Sequence, residues 1–495
     1  MRYTVAFLRL CLAWSLPLSF ATVYTDPIVH IDYGSFQGKY NPAYNISHFR
    51  RIPFAASPTG QNRFRAPQPP LPITDAIYET DRAFPSCPQR TTNGTEDCLF
   101  LGLYSRPWNP SAPKRPVVVF FYGGAFIQGG ASFGMPPSGY PTLNVTTEND
   151  FILVYPNYRV NAFGFLPGHR VKQASDSDLN PGLLDQEFAL QWVQKYISEF
   201  GGDPENVAIW GQSAGGGSVI AQLIANGGNT NPKLFKRALP SSPFWPKLYR
   251  YDSVEAEAIY DQMVNLTGCG KVLDSLRCLK EVDVQNIRDA AGRVAASHRY
   301  TTSSYTWAPV IDGTFLREPL SEATKAGRIN GEVVFATYNS HEGENFIPGG
   351  LGRSNSSGWL DSSSVSFDSW LRGFLPGLND TLLSRVKILY PPDGTTESMN
   401  YSDPYRRAGL IFRDVVLTCP ASWVTKSAKV NGWLAEYTIS PAMHASDVNF
   451  VSSTVDAKML HYKLRLDTNF KLVEYCQHDP KVSWTNLSGV CRSNC

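Results

Sequence analysis

A serine set between glycines, a glutamate and a histidine, in that order along the chain, could together carry out nucleophilic acyl transfer. Ser213 lies in Gly211-Gln212-Ser213-Ala214-Gly215, after the apolar run Val207–Trp210 and before a run that reads as a helix. A serine at a sharp strand-to-helix turn has its hydroxyl pushed out for attack. The pattern is short, and roughly 0.25 chance matches are expected in a chain of this composition. Such a serine is a nucleophile only if the chain also supplies a base, an acid to orient that base, and donors for a developing oxyanion.

On sheets that carry such an elbow, the acid and then the histidine follow the serine in the chain, each after a strand. That order restricts the base to His444, His461 or His478. His444 follows the apolar run Trp433–Ile439 after a short turn and is flanked by the small Ala445 and Ser446, whereas His461 and His478 lie in a polar, poorly patterned tail. Glu342 follows the run Val333–Thr337 and is the expected acid; its rival is Asp312, in an Asp-Gly pair of the kind that most often marks a turn. The oxyanion donors should come from the loop after an early strand and from the amide after the nucleophile. Tyr122-Gly123-Gly124-Ala125-Phe126 directly follows Val117–Phe121. Gly124, Ala125 and Ala214 are the expected donors, each worth about 2.7–4 kcal/mol in the transition state.

These groups need a scaffold. Val117–Phe121, Phe151–Tyr155, Val207–Trp210, Val333–Thr337 and Trp433–Ile439 are short apolar runs, as expected of parallel strands covered on both faces. Gln186–Phe200 carries apolar residues at helical spacing and is closed by Gly201-Gly202, with Pro204 beyond; Ser218–Ala225 reads as a helix continuing from the serine turn. Strands alternating with helices predict an α/β fold with a mainly parallel sheet flanked by helices. Neither an internal repeat nor a domain-sized linker interrupts it, and Gly349–Ser357 reads as a loop within one large domain.

Composition narrows the setting. The 495 residues are 42% hydrophobic and 18% charged, with a formal net charge of +2. Without a dense basic block, nucleic-acid binding has no electrostatic support. Residues 1–21 carry an early Arg2, an apolar stretch and small residues near the end, the pattern of a secretory signal. No later stretch is apolar enough for stable membrane insertion. Asn-x-Ser/Thr sequons begin at Asn45, Asn93, Asn144, Asn265, Asn355, Asn379, Asn400 and Asn486, which fits a glycosylated surface. Cys87/Cys98 and Cys269/Cys278 are close pairs that suit an oxidising compartment, with free buried thiols as the alternative. Partners for Cys419, Cys476, Cys491 and Cys495 are left open. Together these features predict a secreted, extracellular protein.

The chain resembles the type-B carboxylesterase/lipase family, which includes cholinesterases and secreted fungal esterases. The resemblance rests on Glu96–Leu101, the Gly-Gly-Ala-Phe loop, Asn157-Tyr158-Arg159-Val160-Asn161, Gly182–Gln186, Gly201–Pro204, the Gly-Gln-Ser-Ala-Gly-Gly elbow, His341-Glu342-Gly343 and His444–Asp447. It runs from about residue 28 to about residue 450. It implies an α/β-hydrolase fold over residues 22–457 and a Ser213, Glu342, His444 triad. Gly124, Ala125 and Ala214 would form the oxyanion hole, Cys87–Cys98 and Cys269–Cys278 would be disulfides, and Arg159 and Asp185 would be structural. Tyr122 stands where many members have His, and Ala125 where a third Gly is frequent. Residues 458–495 match nothing in the family pattern and read as an atypical tail, with a truncated or mis-spliced end weighed alongside simple divergence.

In lipase-like relatives the first cysteine loop is a long lid, and in cholinesterases it carries a choline-binding tryptophan. Here residues 88–97 are short, polar and without Trp, so cation–π capture of a quaternary ammonium lacks its ring. The expected activity is that of a lidless serine esterase acting on small-molecule or lipid-like esters, without metal or organic cofactor. Phe126, Trp245 and Phe346 are the expected pocket aromatics. The alternatives are a non-catalytic adhesion or scaffold protein on the same fold, a lipase with a short lid, and, more remotely, a peptidase.

Overall fold

The structure is a computed structural model. It describes residues 25–448 except 75, 132–139, 145–149, 298–305, 355–359, 395–400 and 402, together with the backbone of 471–473. The predicted signal segment and most of the predicted tail, with His461, His478, Cys476, Cys491 and Cys495, lie outside the described residues, as do the sequons at Asn355, Asn400 and Asn486.

In chain order the first strands are β1 (Ile28–Ile31), β2 (Gly34–Gln37), β3 (Lys39–Asn41), β4 (Ile46–Pro53) and β5 (Tyr78–Glu79). Next come β6 (Phe100–Ser105), β7 (Arg115–Phe121), β8 (Ile152–Pro156) and β9 (Gly202–Gln212). The last are β10 (Arg237–Ser241), β11 (Val333–Asn339), β12 (Asn431–Tyr437) and β13 (Lys471–Val473). β1, β2 and β5 make a small sheet, and the rest form a ten-stranded sheet in the order β13-β12-β11-β10-β9-β7-β8-β6-β4-β3. The six strands from β12 to β8 are mutually parallel, while β3, β4, β6 and β13 pair antiparallel at the two edges. The expected mainly parallel sheet is therefore its centre.

Burial explains why these runs fold so. Val117, Val119 and Phe121 of β7 and Val207 and Ile209 of β9 are fully buried in the main core. Val118 and Phe120 pack on a second cluster with Leu153 and Tyr155. Each such aliphatic or aromatic side chain contributes about 1.5–3 kcal/mol on burial. A further cluster, including Tyr260, Met263, Leu279 and Trp307, seats the helices Val254–Leu266 and Val284–Ser297 beside the sheet.

Several boundaries differ from the sequence expectation. The helix expected from Gln186 begins at Pro181, whose fixed φ and missing N–H suit a first helical turn. The helix after the serine begins at Ala214, not Ser218. β12 ends at Tyr437, two residues earlier than expected, and β10 is a parallel strand that the sequence reading did not identify.

Candidate active site

Ser213 follows the last residue of β9 with φ 61° and ψ −125°, a backbone conformation that favours glycine. Forcing a residue with a Cβ into positive φ costs about 1–2 kcal/mol, so the surroundings must hold it. The Ser213 N–H donates to the Ser241 carbonyl at the end of β10, and its carbonyl accepts from Gly217 and Phe244. The glycines around it permit close backbone approach. A β-carbon on Gly211 would stand 2.3 Å from the Gly215 carbonyl oxygen, and one on Gly215 would stand 2.0 Å from the Phe121 carbonyl oxygen.

Glu342 and His444 come from neighbouring strands. β11 and β12 pair through Asn339 and Tyr437, and each chain then turns over the sheet end. The two turns are hydrogen-bonded to each other: Ser340 N–H donates to the Tyr437 carbonyl and His341 N–H to the Ala442 carbonyl. His444 Nδ1 lies 2.9 Å from Glu342 Oε2, and His444 Nε2 lies 2.8 Å from Ser213 Oγ. With Nδ1–H donating to the carboxyl, Nε2 is left as the acceptor for the serine hydroxyl. Glu342 is fully buried, and its other oxygen accepts the Asn339 N–H at 3.0 Å. The structure thus brings Ser213, His444 and Glu342 into one hydrogen-bonded line. Asp312 instead closes its own turn, accepting from Thr314 and Leu316 N–H and from the Asn180 side chain.

Three further residues hold this line, and the sequence reading missed them. The Asn345 side chain accepts the His444 N–H at 2.9 Å. Asn339 Nδ2 donates to the Met443 carbonyl at 2.7 Å and to Asp447 Oδ1 at 3.1 Å, tying the β11 end to the histidine loop. Burial holds the Asp447 carboxyl above the usual aspartate range; the Asn339 hydrogen bond opposes this, and the Glu342 charge adds to it. Asp447 lay inside the His444–Asp447 motif without a role assigned to it, and Asn339 and Asn345 gave no signal beyond being polar residues near Glu342.

The segment expected to supply oxyanion donors leaves β7 and folds back tightly. Gly124, Ala125 and Phe126 have φ of 114°, 56° and 61°. Gly123 abuts the elbow: a β-carbon there would stand 3.0 Å from Ser213 Cβ. Ala214 is buried at the start of the elbow helix. Of the expected pocket aromatics, Phe346 sets its edge on the His444 ring at 5.1 Å between centroids and stacks on Phe412. Phe126 is fully buried against Phe165. Trp245 lines an open apolar cleft of about 390 Å³ with Phe374, Leu378, Val416 and Trp423; Ser213, Glu342 and His444 are not among its lining residues.

Both expected disulfides are present, Cys87–Cys98 and Cys269–Cys278. Arg159 makes a bidentate buried pair with Asp185 and braces the chain beneath the loops. Among the described residues, no cluster of three or more His, Cys, Asp or Glu side chains could hold a metal ion.

Comparison with known proteins bears on the family and the fold. The profile of the Carboxylesterase family matches residues 25–469. Carboxylesterase patB of Penicillium expansum is 30% identical over 390 residues, covering 76% of this chain and 66% of that protein. The secreted triacylglycerol lipase LIP1 of Gibberella zeae is 31% identical over 400 residues, covering 75% and 64%. The chain therefore spans about two thirds of the length of these relatives. The crystal structure of Aspergillus niger EstA superimposes with a TM-score of 0.73 at 28% identity, covering 89% of this chain and 86% of that one. The sheet and its flanking helices are those of the α/β-hydrolase fold.

Proposed function

Because the chain belongs to the Carboxylesterase family, we propose that it hydrolyses carboxylic esters by acyl transfer through Ser213. The observation that carries this reading is the line from Ser213 Oγ through the His444 ring to Glu342 Oε2, at 2.8 and 2.9 Å. His444 Nε2 takes the hydroxyl proton as Oγ attacks the ester carbonyl. The Gly124, Ala125 and Ala214 N–H groups stabilise the oxyanion of the tetrahedral intermediate. His444 then protonates the leaving alcohol, and an acyl-serine remains. Water, deprotonated by the same nitrogen, attacks the acyl carbon and releases the acid. Glu342 fixes the ring's tautomer and stabilises the imidazolium without itself taking the proton.

The substrates are soluble esters. Supporting this is the short Cys87–Cys98 loop, which is fastened to the body. Glu96 in it forms a bidentate pair with Arg63, and the Arg288 guanidinium donates to the Gln89 and Thr92 carbonyls. The protein is secreted after loss of residues 1–21 and carries glycans. Exposure of Asn45, Asn93, Asn144, Asn265 and Asn379 supports the glycans, and the two disulfides support passage through an oxidising compartment.

The test is Ser213→Ala on the full secreted chain, assayed with p-nitrophenyl butyrate. Hydrolysis is expected to fall to the uncatalysed background, and an organophosphate is expected to label wild type at Ser213 alone. A variant with near-wild-type rate overturns the reading. An unlabelled, folded wild type favours a scaffold role.

A further inference from the structure

The loop 122–129 holds three consecutive residues at positive φ, and two of them, Ala125 and Phe126, carry a β-carbon. Such a loop keeps its shape only if its surroundings over-determine it. Its two ends touch, since a β-carbon on Gly129 would stand 2.3 Å from the Gly123 carbonyl oxygen. Each end is gripped by a different buried side chain.

At the entry, Tyr122 and Tyr158 stack with ring centroids 4.1 Å apart. The Tyr158 hydroxyl donates to the Tyr122 carbonyl at 2.6 Å, and the Tyr122 hydroxyl donates to the Tyr158 carbonyl. Burial pushes both phenols upward, so each stays a neutral donor. Within the elbow helix, the Ser218 hydroxyl donates to the Ala214 carbonyl at 2.9 Å. The Tyr158 phenol therefore holds the residue from which the loop that carries Gly124 and Ala125 departs. At the exit, the Gln89 side-chain amide clasps Gly129 from both sides. Gln89 Nε2 donates to the Gly129 carbonyl at 2.7 Å, and the Gly129 N–H donates to Gln89 Oε1 at 2.7 Å. Gln89 is 3% exposed and sits on the Cys87–Cys98 loop. Asn161 completes the cradle: its N–H donates to the Phe126 carbonyl and its side chain to the Pro88 carbonyl.

We propose that Gln89 and Tyr158 are positioning residues for the oxyanion hole, holding the two ends of the 122–129 loop so that the Gly124 and Ala125 N–H groups face the oxygen that forms beside Ser213. This rests on the reading of Ser213 as an acylated nucleophile. The short cysteine loop is then a strut for the hole, in the place where lipase-like relatives have a lid. A donor aimed at the transition state acts on turnover more than on substrate binding. Slackening either clasp should therefore lower kcat and leave KM nearly unchanged.

The experiment compares Gln89→Ala and Tyr158→Phe with wild type on p-nitrophenyl butyrate. Active sites are counted by organophosphate labelling at Ser213, so that kcat is expressed per labelled site. The affinity of an alkyl trifluoromethyl ketone is measured alongside; it adds to a serine hydroxyl and leaves its own oxyanion in the hole. Each variant is expected to lose about 10–100-fold in kcat per site, part of the 10²–10³ lost with a whole donor. KM should stay within twofold, and ketone affinity should fall by the same factor as kcat. Variants that melt earlier or label less fully, yet keep kcat per site and ketone affinity within twofold, show a purely structural role and overturn the proposal. If Tyr158→Phe does not fold, Gln89→Ala and the shorter-armed Gln89→Asn decide. Failure of the underlying reading looks different: wild type itself would then resist labelling at Ser213.

Discussion

Gly343 and Gly409 occupy space that no side chain could share, since a β-carbon on Gly343 would stand 1.8 Å from the Gly409 carbonyl oxygen. Gly343 follows Glu342 directly, and Gly409 lies in the helix Pro404–Arg413. At the end of that helix Arg413 donates to the Ser340 carbonyl at 2.9 Å. The helix thus seats the turn that carries the acid. Overpacking against backbone costs about 1–3 kcal/mol. Gly343→Ala is expected to lower Tm by several degrees and kcat with it. Thermal scans and kinetics check this, and wild-type values for both would show that the contact does not seat Glu342.

Glu342→Gln tests the acid while leaving its shape. Glutamine can still accept the Asn339 N–H, so Tm should change little. Its amide beside His444 favours the wrong ring tautomer, and a loss of about 10⁴ in kcat is expected by analogy with serine triads. A loss under tenfold, measured on folded variant, would point to another residue as the acid.

Asp447 gives a pH signature. Its carboxyl is raised above the ordinary value of 3.8, chiefly by burial, so the folded state favours the protonated form more than the unfolded chain does. The resulting stabilisation is complete below the unfolded value and is lost as pH rises through the raised folded value. Asp447→Asn stays neutral and can still accept from Asn339. It is expected to melt above wild type at pH 7, with the gap closing towards pH 4. A gap that stays constant from pH 4 to 7 would show that folding does not shift this carboxyl.

The fastening of the 88–97 segment bears on substrate form. Arg63 and Glu96 are a nearly buried pair, with side chains 6% and 11% exposed. On the proposed reading, a segment held this way does not open at an oil–water interface. The hydrolysis rate of tributyrin is expected to rise smoothly through its solubility limit. A pH-stat titration showing a sharp jump there would identify a moving lid.

Much of this site was legible because each reacting group follows a strand whose apolar run stands out. β7, β9 and β11 were visible for that reason, and with them Ser213 and Glu342. β10 was hidden: Arg-Ala-Leu-Pro-Ser is short, is interrupted by Pro240 and has no apolar run. The start of the elbow helix was hidden too, because Gly215-Gly216-Gly217 reads as loop. These glycines are helical and buried, and they are glycines because neighbouring carbonyls fill the space of their side chains. The contacts that hold the site were not legible, although Asp447 itself lay within the His444–Asp447 motif. Asn339 meets Asp447 across 108 positions, and Gln89 meets Gly129 across 40. A polar side chain gives no local pattern that names so distant a partner.

The crowding around the elbow separates two kinds of change. The Ser213 hydroxyl meets the His444 ring at 2.8 Å, so on the proposed reading one substitution there silences the chemistry and leaves the architecture standing. Gly211 and Gly215 have no such latitude, because a single methyl at either would run into backbone. A descendant of this chain that gave up catalysis for binding would therefore keep its glycines around a changed residue 213. The outline of the lost reaction would remain readable in a protein that no longer performs it.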